Sequence, residues 1–451
     1  MDTLTNDKGS LASQPVNKLF WRYSLPAVAG MLVNGLYSTI DGIFIGQAIG
    51  AEGLAAMNII WPVFGLILGI GLMFGMGTAA LYSIARGEQA EERARAILGN
   101  GVTLMVLGSL LLGAFIYHYG HIALLWMGAK GSVLEMGQEY LRYIGMGSFA
   151  ALMGAALPMM VRNDERPQLS TLILSVGALA NIALDYLFII HLQMGVAGAA
   201  LATILAQSIT MIWGIGYFFS SKARLRLRLS DMACTLSTWK SIMVTGLPSF
   251  TMFVYISFVI AVHNRLFLDY GNVTILAAFT IVGYIQAIYY MIAEGIANGL
   301  QPLLSYNYGA RNNANIRKTL GLGLKSVLIL GLATVLFINL FPEAIAYVFN
   351  SENTRLISET ATGLRLHLFS MFLDGLIVVA AAYFQALARS RIATIITVGN
   401  MVVQIPLLLI LPEFLGVTGV WIALPLSNIF LAVVVVYALI LDLKERPAAI
   451  R

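Results

Sequence analysis

The sequence predicts an all-α polytopic membrane protein, with twelve transmembrane helices in two six-helix bundles related by a pseudo-two-fold axis along the membrane normal. Three observations predict this fold. Of the 451 residues, 59% are hydrophobic and only 11% are charged, whereas a soluble domain carries about 25% charged residues. The chain contains twelve stretches that are long and apolar enough to cross a bilayer. Its second half also matches its first half at a nearly constant offset.

The composition excludes several classes of protein. A mean hydropathy of +0.82 argues against a water-soluble enzyme. The net charge of +5 would be compatible with nucleic-acid binding in a soluble protein, but no other feature supports such a partner here. The single cysteine, Cys234, excludes an internal disulfide framework and a cysteine-based metal site. Residues 1–15 are polar and lack the pattern of a cleavable signal peptide.

The predicted spans follow one another with short connections. Each is close to or above the length of about 20 apolar residues that a bilayer requires. The stretches are 18–46, 52–81, 96–117, 137–161, 168–191, 195–220, 240–268, 274–304, 318–345, 356–387, 392–411 and 416–442.

Lys and Arg residues predict the orientation of these spans, because cytoplasmic loops are enriched in them. Of the 27 basic residues, 21 lie on one side, in the tails, in alternate loops or at the adjoining ends of spans. The other six are Lys130 and Arg355 in the opposite loops and Arg142, Arg265, Lys325 and Arg365 within spans. We therefore expect a multi-pass protein of the cytoplasmic (inner) membrane with both termini in the cytoplasm.

The same reasoning divides the chain into five segments. The basic run KARLRLRL lies in the segment between the two bundles, where we expect it to lie at the anionic inner leaflet rather than on nucleic acid. The predicted segments are an N-terminal tail (1–17), an N-lobe (18–220), a basic linker (221–239), a C-lobe (240–442) and a C-terminal tail (443–451).

An internal repeat supports the two bundles. An offset of 222 residues places Pro26 on Pro248 and Gly87 on Gly309. We call it the repeat offset. Six spans return the chain to its starting side, so the two halves are parallel repeats. Parallel repeats of this kind occur in transporters that expose a central site alternately to the two sides of the membrane.

Ionisable side chains inside spans are costly and therefore point to function. Asp41 and Asp185 both lie in the outer half of their predicted spans. Tyr37 and Asn181 precede them by four residues and so share their helix faces. Two carboxylates at matching depth could line one cavity and exchange a proton for a cation. The alternative is that each carboxylate only caps a helix or pairs with a basic residue.

The second half has different candidates. Glu294, Asp374 and His263 lie within spans and are candidates for lining a cavity for cationic substrates. A structural role is about equally compatible with the sequence. Lys325, Arg365 and His367 are the available partners for the two acids.

Several motifs are absent from the sequence. It has no GxxxxGK[ST] phosphate-binding loop, no HExxH and no GxSxG. We therefore expect neither an ATPase nor a hydrolase, and no cofactor other than a coupling ion. A membrane enzyme is the weakest functional hypothesis.

The chain resembles the multidrug and toxic compound extrusion (MATE) family, in particular its prokaryotic DinF-like and MepA-like branch. The resemblance extends over about residues 15–445. It rests on Pro26 followed by Asp41-Gly42 and on four further segments, which are GTAALYSIARG at 77–87, NIALDYLFI at 181–189, GVAGAALAT at 195–203 and QPLLSYNYGARN at 301–312.

This resemblance implies a secondary antiporter that exports cationic, often aromatic compounds in exchange for H⁺ or Na⁺. It implies a coupling site in the N-lobe, formed by Tyr37, Asp41, Asn181, Asp185, Thr203 and, as a weaker match, Tyr140. The oxygens of Asp41, Asn181, Asp185 and Thr203 are of the type that a Na⁺ ion needs. One departure is Tyr255, which stands where the NorM-like branch has a glutamate, so we expect no C-lobe cation site built on that glutamate.

Two further expectations complete the prediction. A central cavity between the lobes would allow a monomer to function, in contact with membrane lipid. The alternative function is a flippase for a lipid-linked or polyprenyl-type precursor, which would need basic residues in the cavity to hold phosphate. The available basic candidates are Arg142, Arg265, Lys325 and Arg365.

Overall fold

The computed structural model describes residues 10–349 and 351–446, and the regular structure in these residues is helical. A π-helical segment, Tyr186–His191, continues α6, and a short 3₁₀ turn, Leu229–Asp231, lies in the linker. The α-helices are α1 (Ser10–Ser13), α2 (Val16–Ala48), α3 (Ala51–Gly87), α4 (Glu91–Trp126), α5 (Gly131–Asn163), α6 (Pro167–Asp185), α7 (Gly195–Phe219), α8 (Leu236–Asp269), α9 (Val273–Gly309), α10 (Asn313–Leu340), α11 (Pro342–Phe349), α12 (Thr354–His367), α13 (Met371–Ala386), α14 (Ser390–Leu415) and α15 (Val417–Glu445).

The structure confirms the predicted fold class. In the described part of the chain, eleven helical spans are long and apolar enough to cross a membrane, and a twelfth consists of the pair α12 and α13. These two helices meet at a bend of 48°. The stretch 356–387, which the sequence presents as one apolar span, is therefore broken at residues 368–370.

Both predicted tails lie partly outside the described residues. Within the N-terminal tail, α1 places Leu11 in a small apolar cluster with Leu19 and Leu303, so this segment is packed against the helices. At the other end, α15 continues to Glu445, beyond the predicted end of the last span.

Contacts with α15 stabilise the bend between α12 and α13. Pro425 has no backbone N–H, so the carbonyl of Trp421 loses its partner within α15. His367, the last residue of α12, fills this vacancy by donating from Nδ1 to the Trp421 carbonyl at 2.8 Å. Ser370 donates to the carbonyl of Pro425 at 3.3 Å. The carbonyl that the proline leaves unpaired is thus satisfied from another helix, as the bilayer interior requires.

Two separate hydrophobic cores define the lobes. One core consists almost entirely of side chains from α2 to α7 and from the linker, which together form the N-lobe. The other consists of side chains from α8 to α15, which form the C-lobe, with Phe20 of α2 added. Each bundle of six spans therefore buries its own apolar face.

Glycines allow the lobes to approach each other closely. A Cβ atom on Gly77 of α3 would overlap the Ile242 carbonyl of α8, and a Cβ on Gly299 of α9 would lie 2.6 Å from the Cα of Ser24 in α2. The repeat offset places Gly77 on Gly299 and Ser24 on Gly246. These are therefore two symmetry-related contacts, α3 with α8 and α9 with α2.

A third glycine contact lies between the repeat mates Gly87 and Gly309. A Cβ on Gly87 would overlap the Tyr306 carbonyl, and a Cβ on Gly309 would overlap the Ile84 carbonyl. This contact lies at the end of the molecule that carries the loops 88–90, 164–166 and 310–312 and the linker, which we call the basic end. The two lobes are therefore closed against each other at the basic end.

Substitution of Gly87 by alanine should force the lobes apart at the basic end. The added methyl group needs about 3.5 Å from neighbouring heavy atoms, and the Tyr306 carbonyl occupies that space. We expect double electron–electron resonance between spin labels at Glu92 and Ala314, in a Cys234→Ser background, to shift toward longer distances.

The control is Gly65→Ala, on the same helix, because a Cβ at Gly65 meets nothing within 4 Å. This variant should keep the parent distance distribution. An unchanged distribution in Gly87→Ala would contradict the proposed role of the glycine contact.

Replacement of His367 by phenylalanine should destabilise the C-lobe, because it keeps an aromatic ring but leaves the Trp421 carbonyl without a donor. A buried unsatisfied acceptor costs about 1–3 kcal/mol. We expect a lower midpoint of thermal unfolding in detergent. Adding Pro425→Ala should recover part of the loss by restoring a backbone N–H four residues after Trp421. Equal loss in the single and the double variant would show that this hydrogen bond is not the cause.

Candidate functional site

A polar cavity opens inside the N-lobe, between α2, α6 and α7. Its apolar lining consists of Leu174, Gly177, Ala178 and Ala206, and polar side chains from all three helices complete it. The polar lining residues are Asn34, Tyr37, Asn181, Thr203, Gln207 and Thr210.

Sequence reasoning identifies three of these residues and misses the other three. Tyr37, Asn181 and Thr203 belong to the predicted coupling site; Asn34, Gln207 and Thr210 do not. Helical spacing could have found two of the missed residues, because Asn34 lies three residues before Tyr37 and Gln207 four residues after Thr203.

Asp41 and Asp185 lie beside this cavity, close enough for their charges to interact. Tyr37 lies close to both carboxylates. Asp185 is fully buried, and Asp41 is partly buried. Asp185 is the last α-helical residue of α6, where the helix changes to the wider π-helical segment Tyr186–His191. Such π-helical segments are frequent at functional sites.

Tyr140 of α5 completes the group. It lies near Asp41, Tyr37 and Asp185, and its hydroxyl faces that of Thr203. The structure therefore brings together the six residues predicted for the coupling site, which are drawn from α2, α5, α6 and α7.

The group contains five buried polar atoms without a hydrogen-bond partner in the described part of the structure. They are Oδ1 of Asp41, both carboxylate oxygens of Asp185 and both side-chain amide atoms of Asn181. Buried polar atoms are almost always paired, so an unpaired cluster indicates a place for a ligand. Two adjacent ionised carboxylates need a positive charge, which a proton or a metal cation can supply. The oxygens of Asp, Asn and Thr fit a Na⁺ ion as well as a proton.

Asp374 in the C-lobe has a partner that the sequence does not indicate. Asn428 donates to its carboxylate at 2.5 Å, and Gln286 also faces it. The expected basic partners are engaged elsewhere: Arg365 lies 3.4 Å from Glu343, and His367 bonds to the Trp421 carbonyl. The amide groups of α15 and α9 therefore hold this acid.

His263 lies inside the C-lobe, apart from the N-lobe group. It is 1% exposed and is stacked on Phe279 with ring centres 5.3 Å apart. The rings of His367 and Phe267 also contact it. Its Nδ1 bonds to the Val259 carbonyl, and its Nε2 has no partner among the described residues.

Glu294 lies at the interface between the lobes. Its neighbours Gly295 and Gly299 fit against the backbone of α2, so the close backbone packing expected around this glutamate is present. Arg162 of α5 is the basic group that acts on Glu294 from the opposite lobe. The sequence places Arg162 among the basic residues of the cytoplasmic side, but the structure buries it to 6% exposure.

The basic end carries a second polar cluster that sequence reasoning misses. Asp164, which follows α5, accepts hydrogen bonds from Tyr82 at 2.5 Å, from Tyr217 at 2.6 Å and from the backbone N–H of Arg224 at 2.8 Å. Burial raises the pKa of the Asp164 carboxyl, and the hydrogen bonds from Tyr217 and Tyr82 act in the opposite direction. Beside it, Glu165 pairs with Arg86 at 2.8 Å and with Arg224 at 3.1 Å.

This cluster fixes the linker to the N-lobe. Leu225 and Leu227 are buried, whereas Arg226 and Arg228 are exposed, so the alternating sequence places leucines against the helices and arginines outward. Further along, the N–H of Thr235 donates to Asn100 at 2.8 Å. The linker therefore belongs structurally to the N-lobe up to the start of α8.

Replacement of Asp164 by alanine should release the linker, because one carboxylate accepts hydrogen bonds from two helices and from the linker backbone. We expect several-fold faster cleavage by trypsin after Lys222, Arg224, Arg226 or Arg228. The control is Glu92→Ala at the same end, which removes an exposed carboxylate and should not change the rate. Equal rates in Asp164→Ala and the parent protein would contradict this role.

Comparisons with known proteins agree with this geometry. The family described as MatE matches residues 26–187 and 248–410, two segments that begin at the repeat mates Pro26 and Pro248. The multidrug export protein MepA of Staphylococcus haemolyticus is 25% identical over 429 residues, which cover 94% of this chain and 93% of that protein. MepA of Staphylococcus aureus strain MRSA252 is 24% identical over 415 residues, covering 90% and 89%.

Solved structures give the same result. A crystal structure of MATE in complex with MaL6 superposes with a TM-score of 0.92 at 25% identity, covering 98% of this chain and 99% of that one. An outward-facing multidrug resistance MATE transporter gives a TM-score of 0.89 at 26% identity, with the same coverage. The chain therefore belongs to the MATE family of multidrug transporters.

Proposed function

We propose that this protein is a secondary antiporter that exports organic cations, many of them aromatic, in exchange for H⁺ or Na⁺. The observation that carries the proposal is the pair Asp41 and Asp185, whose carboxylates lie together beside the N-lobe cavity with oxygens that lack hydrogen-bond partners among the described residues. Such a pair binds a proton or a cation more readily than it stays empty and doubly charged.

The coupling ion acts through its preference for one state of the transporter. An ion shifts a conformational equilibrium only as far as its affinity differs between the two states. Tyr37 and Asp41 lie on α2, which packs against α9 of the other lobe through Gly295 and Gly299. A change of ion occupancy at Asp41 therefore acts on a helix that is itself part of the lobe contact. This arrangement supports the N-lobe group as the coupling site.

The positive charge of the basic end supports a cytoplasmic location for this end and for both termini. Since the lobes are closed there, the described state faces outward. A multi-pass protein of the inner membrane, working as a monomer surrounded by lipid, suffices for this mechanism because the lobe interface lies within one chain.

The substrate meets acids from the C-lobe. Glu294 lies at the lobe interface, and Asp374 lies in the same lobe near Tyr290 and Tyr255. Carboxylates near aromatic rings attract organic cations. The curated relatives named as multidrug export proteins support the same substrate class. His263 lies in a closed aromatic cluster, so it acts in this mechanism as part of the C-lobe structure.

The flippase alternative lacks a corresponding observation. Arg265 pairs with Asp269, Arg365 pairs with Glu343, and the side chain of Lys325 is exposed. Arg142 is also exposed and lies over the ring of Tyr117. The buried basic residue at the interface, Arg162, is opposed by Glu294, which disfavours a phosphate group with two negative charges.

Replacement of Asp41 by asparagine should abolish drug resistance in a host that lacks other efflux pumps. The amide keeps the size of the side chain but can neither carry a negative charge nor exchange a proton. Substrate-driven ion movement in proteoliposomes should fall to the level of empty vesicles, while expression stays normal. The control is Asp269→Asn, which removes an exposed carboxylate at the end of α8. This variant should transport normally.

Separately imposed proton and sodium gradients identify the ion. The parent protein should accumulate substrate against its gradient with one of the two ions. Transport that depends on neither gradient would defeat the antiport proposal. Full resistance in Asp41→Asn would instead overturn the assignment of this residue to coupling.

A further inference from the structure

Arg162 is a buried charge that no described residue pairs directly. Its side chain is 6% exposed, and it lies at the end of α5 where the N-lobe faces the C-lobe. Among the described residues it forms no ion pair within 4.0 Å, and its Nε atom has no hydrogen-bond partner. The adjacent Arg86 and Arg224, by contrast, are both paired with Glu165. Acids are therefore available at this end, but those in the described part of the chain do not pair with Arg162.

An unpaired guanidinium in this position needs an explanation. Arginine remains protonated under all ordinary conditions, so it cannot escape the cost of burial by losing its proton. A buried charge persists when it is paired or when it receives a ligand. Glu294 acts on Arg162 electrostatically, but its carboxylate lies beyond the 4.0 Å distance of an ion pair. The two opposite charges therefore lie near each other across the lobe interface without forming an ion pair.

Hydrogen-bonded polar residues and aromatic residues surround this pair of charges. Below it, toward the basic end, Asn163 donates to Gln301 at 2.8 Å across the lobes and accepts from Ser83 at 2.7 Å. The Asn163–Gln301 bond joins the two lobes on the side of the two charges that is nearer the basic end. On the other side, Tyr290 lies near Glu294 and Tyr255. The two charges therefore lie between these inter-lobe hydrogen bonds and aromatic rings.

We propose that Arg162 is a specificity-determining residue that binds the carboxylate of zwitterionic substrates, while Glu294 binds their ammonium group. This inference rests on the proposed export function and names a substrate class for the same cavity. A planar guanidinium can bind a carboxylate through two parallel hydrogen bonds, which fixes the orientation of the ligand. A simple organic cation uses Glu294 alone and leaves Arg162 unpaired.

The location of the two charges on opposite lobes gives the subsite a role in transport. Arg162 belongs to the N-lobe and Glu294 to the C-lobe, so a movement of the lobes changes the distance between them. A zwitterion that bridges both charges binds more tightly in the state where their separation matches its length. The same movement that opens the basic end therefore changes its affinity, as a transported substrate requires.

The test uses two ligands that differ only in the carboxylate: an aromatic amino acid derivative with a free amine and a free carboxylate, and its methyl ester. Binding to the purified full-length protein is measured by isothermal titration. Arg162→Gln should weaken binding of the zwitterion by roughly tenfold, the effect of losing one charge-assisted contact, and binding of the ester by less than about threefold. Glu294→Gln should weaken binding of both ligands.

The matched control is Lys325→Gln, which removes an exposed positive charge from α10 and should change neither affinity. A parallel loss of both ligands in Arg162→Gln, or parent-like binding of both, would overturn the assignment of Arg162. Failure of the parent protein to bind or export either ligand would instead count against the proposed function.

A measurement on the parent protein keeps the inference testable if Arg162→Gln does not fold. With Arg162 present, the zwitterion should bind at least as tightly as the ester, although burial of a carboxylate is otherwise unfavourable. A tenfold preference for the ester in the parent protein would show that Arg162 does not receive the carboxylate.

Discussion

The close approach of the two lobes at the basic end is the constraint on which the rest of this structure depends. It is achieved by backbone packed against backbone, at Gly77, Gly87, Gly299 and Gly309. In a membrane there is little hydrophobic gain from helix association, so small residues that allow close packing decide which helices meet. Because the repeat supplies these glycines in matched positions, the same contacts form on both sides of the pseudo-two-fold axis.

This contact determines which groups can respond to movement of the lobes. Arg162 and Asn163 lie on the N-lobe side of the interface, and Glu294 and Gln301 lie on the C-lobe side. Asp41 lies farther along α2. It belongs to the N-lobe group and to the helix that packs against α9. The proposed coupling group and the proposed substrate groups are therefore connected through the packing of α2 against α9.

Much of this arrangement could be predicted from the sequence. The constant offset between the two repeats identifies the lobes, and the scarcity of acids inside apolar stretches draws attention to Asp41 and Asp185. The bend at residues 368–370 could not be predicted, because the stretch 356–387, although it contains polar residues such as Arg365 and His367, is long and apolar enough overall to form one span. Its stabilisation depends on a carbonyl at Trp421, which is freed by Pro425 and is distant in the sequence. The burial of Arg162 could not be predicted either, because its position just after the predicted span 137–161 does not say which way the side chain turns.

The two repeats show how one fold can separate its functions. The repeat offset places Asp41 on His263 and Asp185 on Leu407, so the C-lobe has no second pair of carboxylates at these positions. His263 instead packs in an aromatic cluster next to the bend of α12 and α13. The corresponding span of the N-lobe, α5, is one unbroken helix. A coupling group in each lobe would allow two separate binding events to bias the lobe contact, each by its own difference in affinity between the two states. In the proposed mechanism the carboxylate pair is confined to one lobe, so a single binding event acts on α2, while Glu294 and Asp374 of the C-lobe meet the substrate.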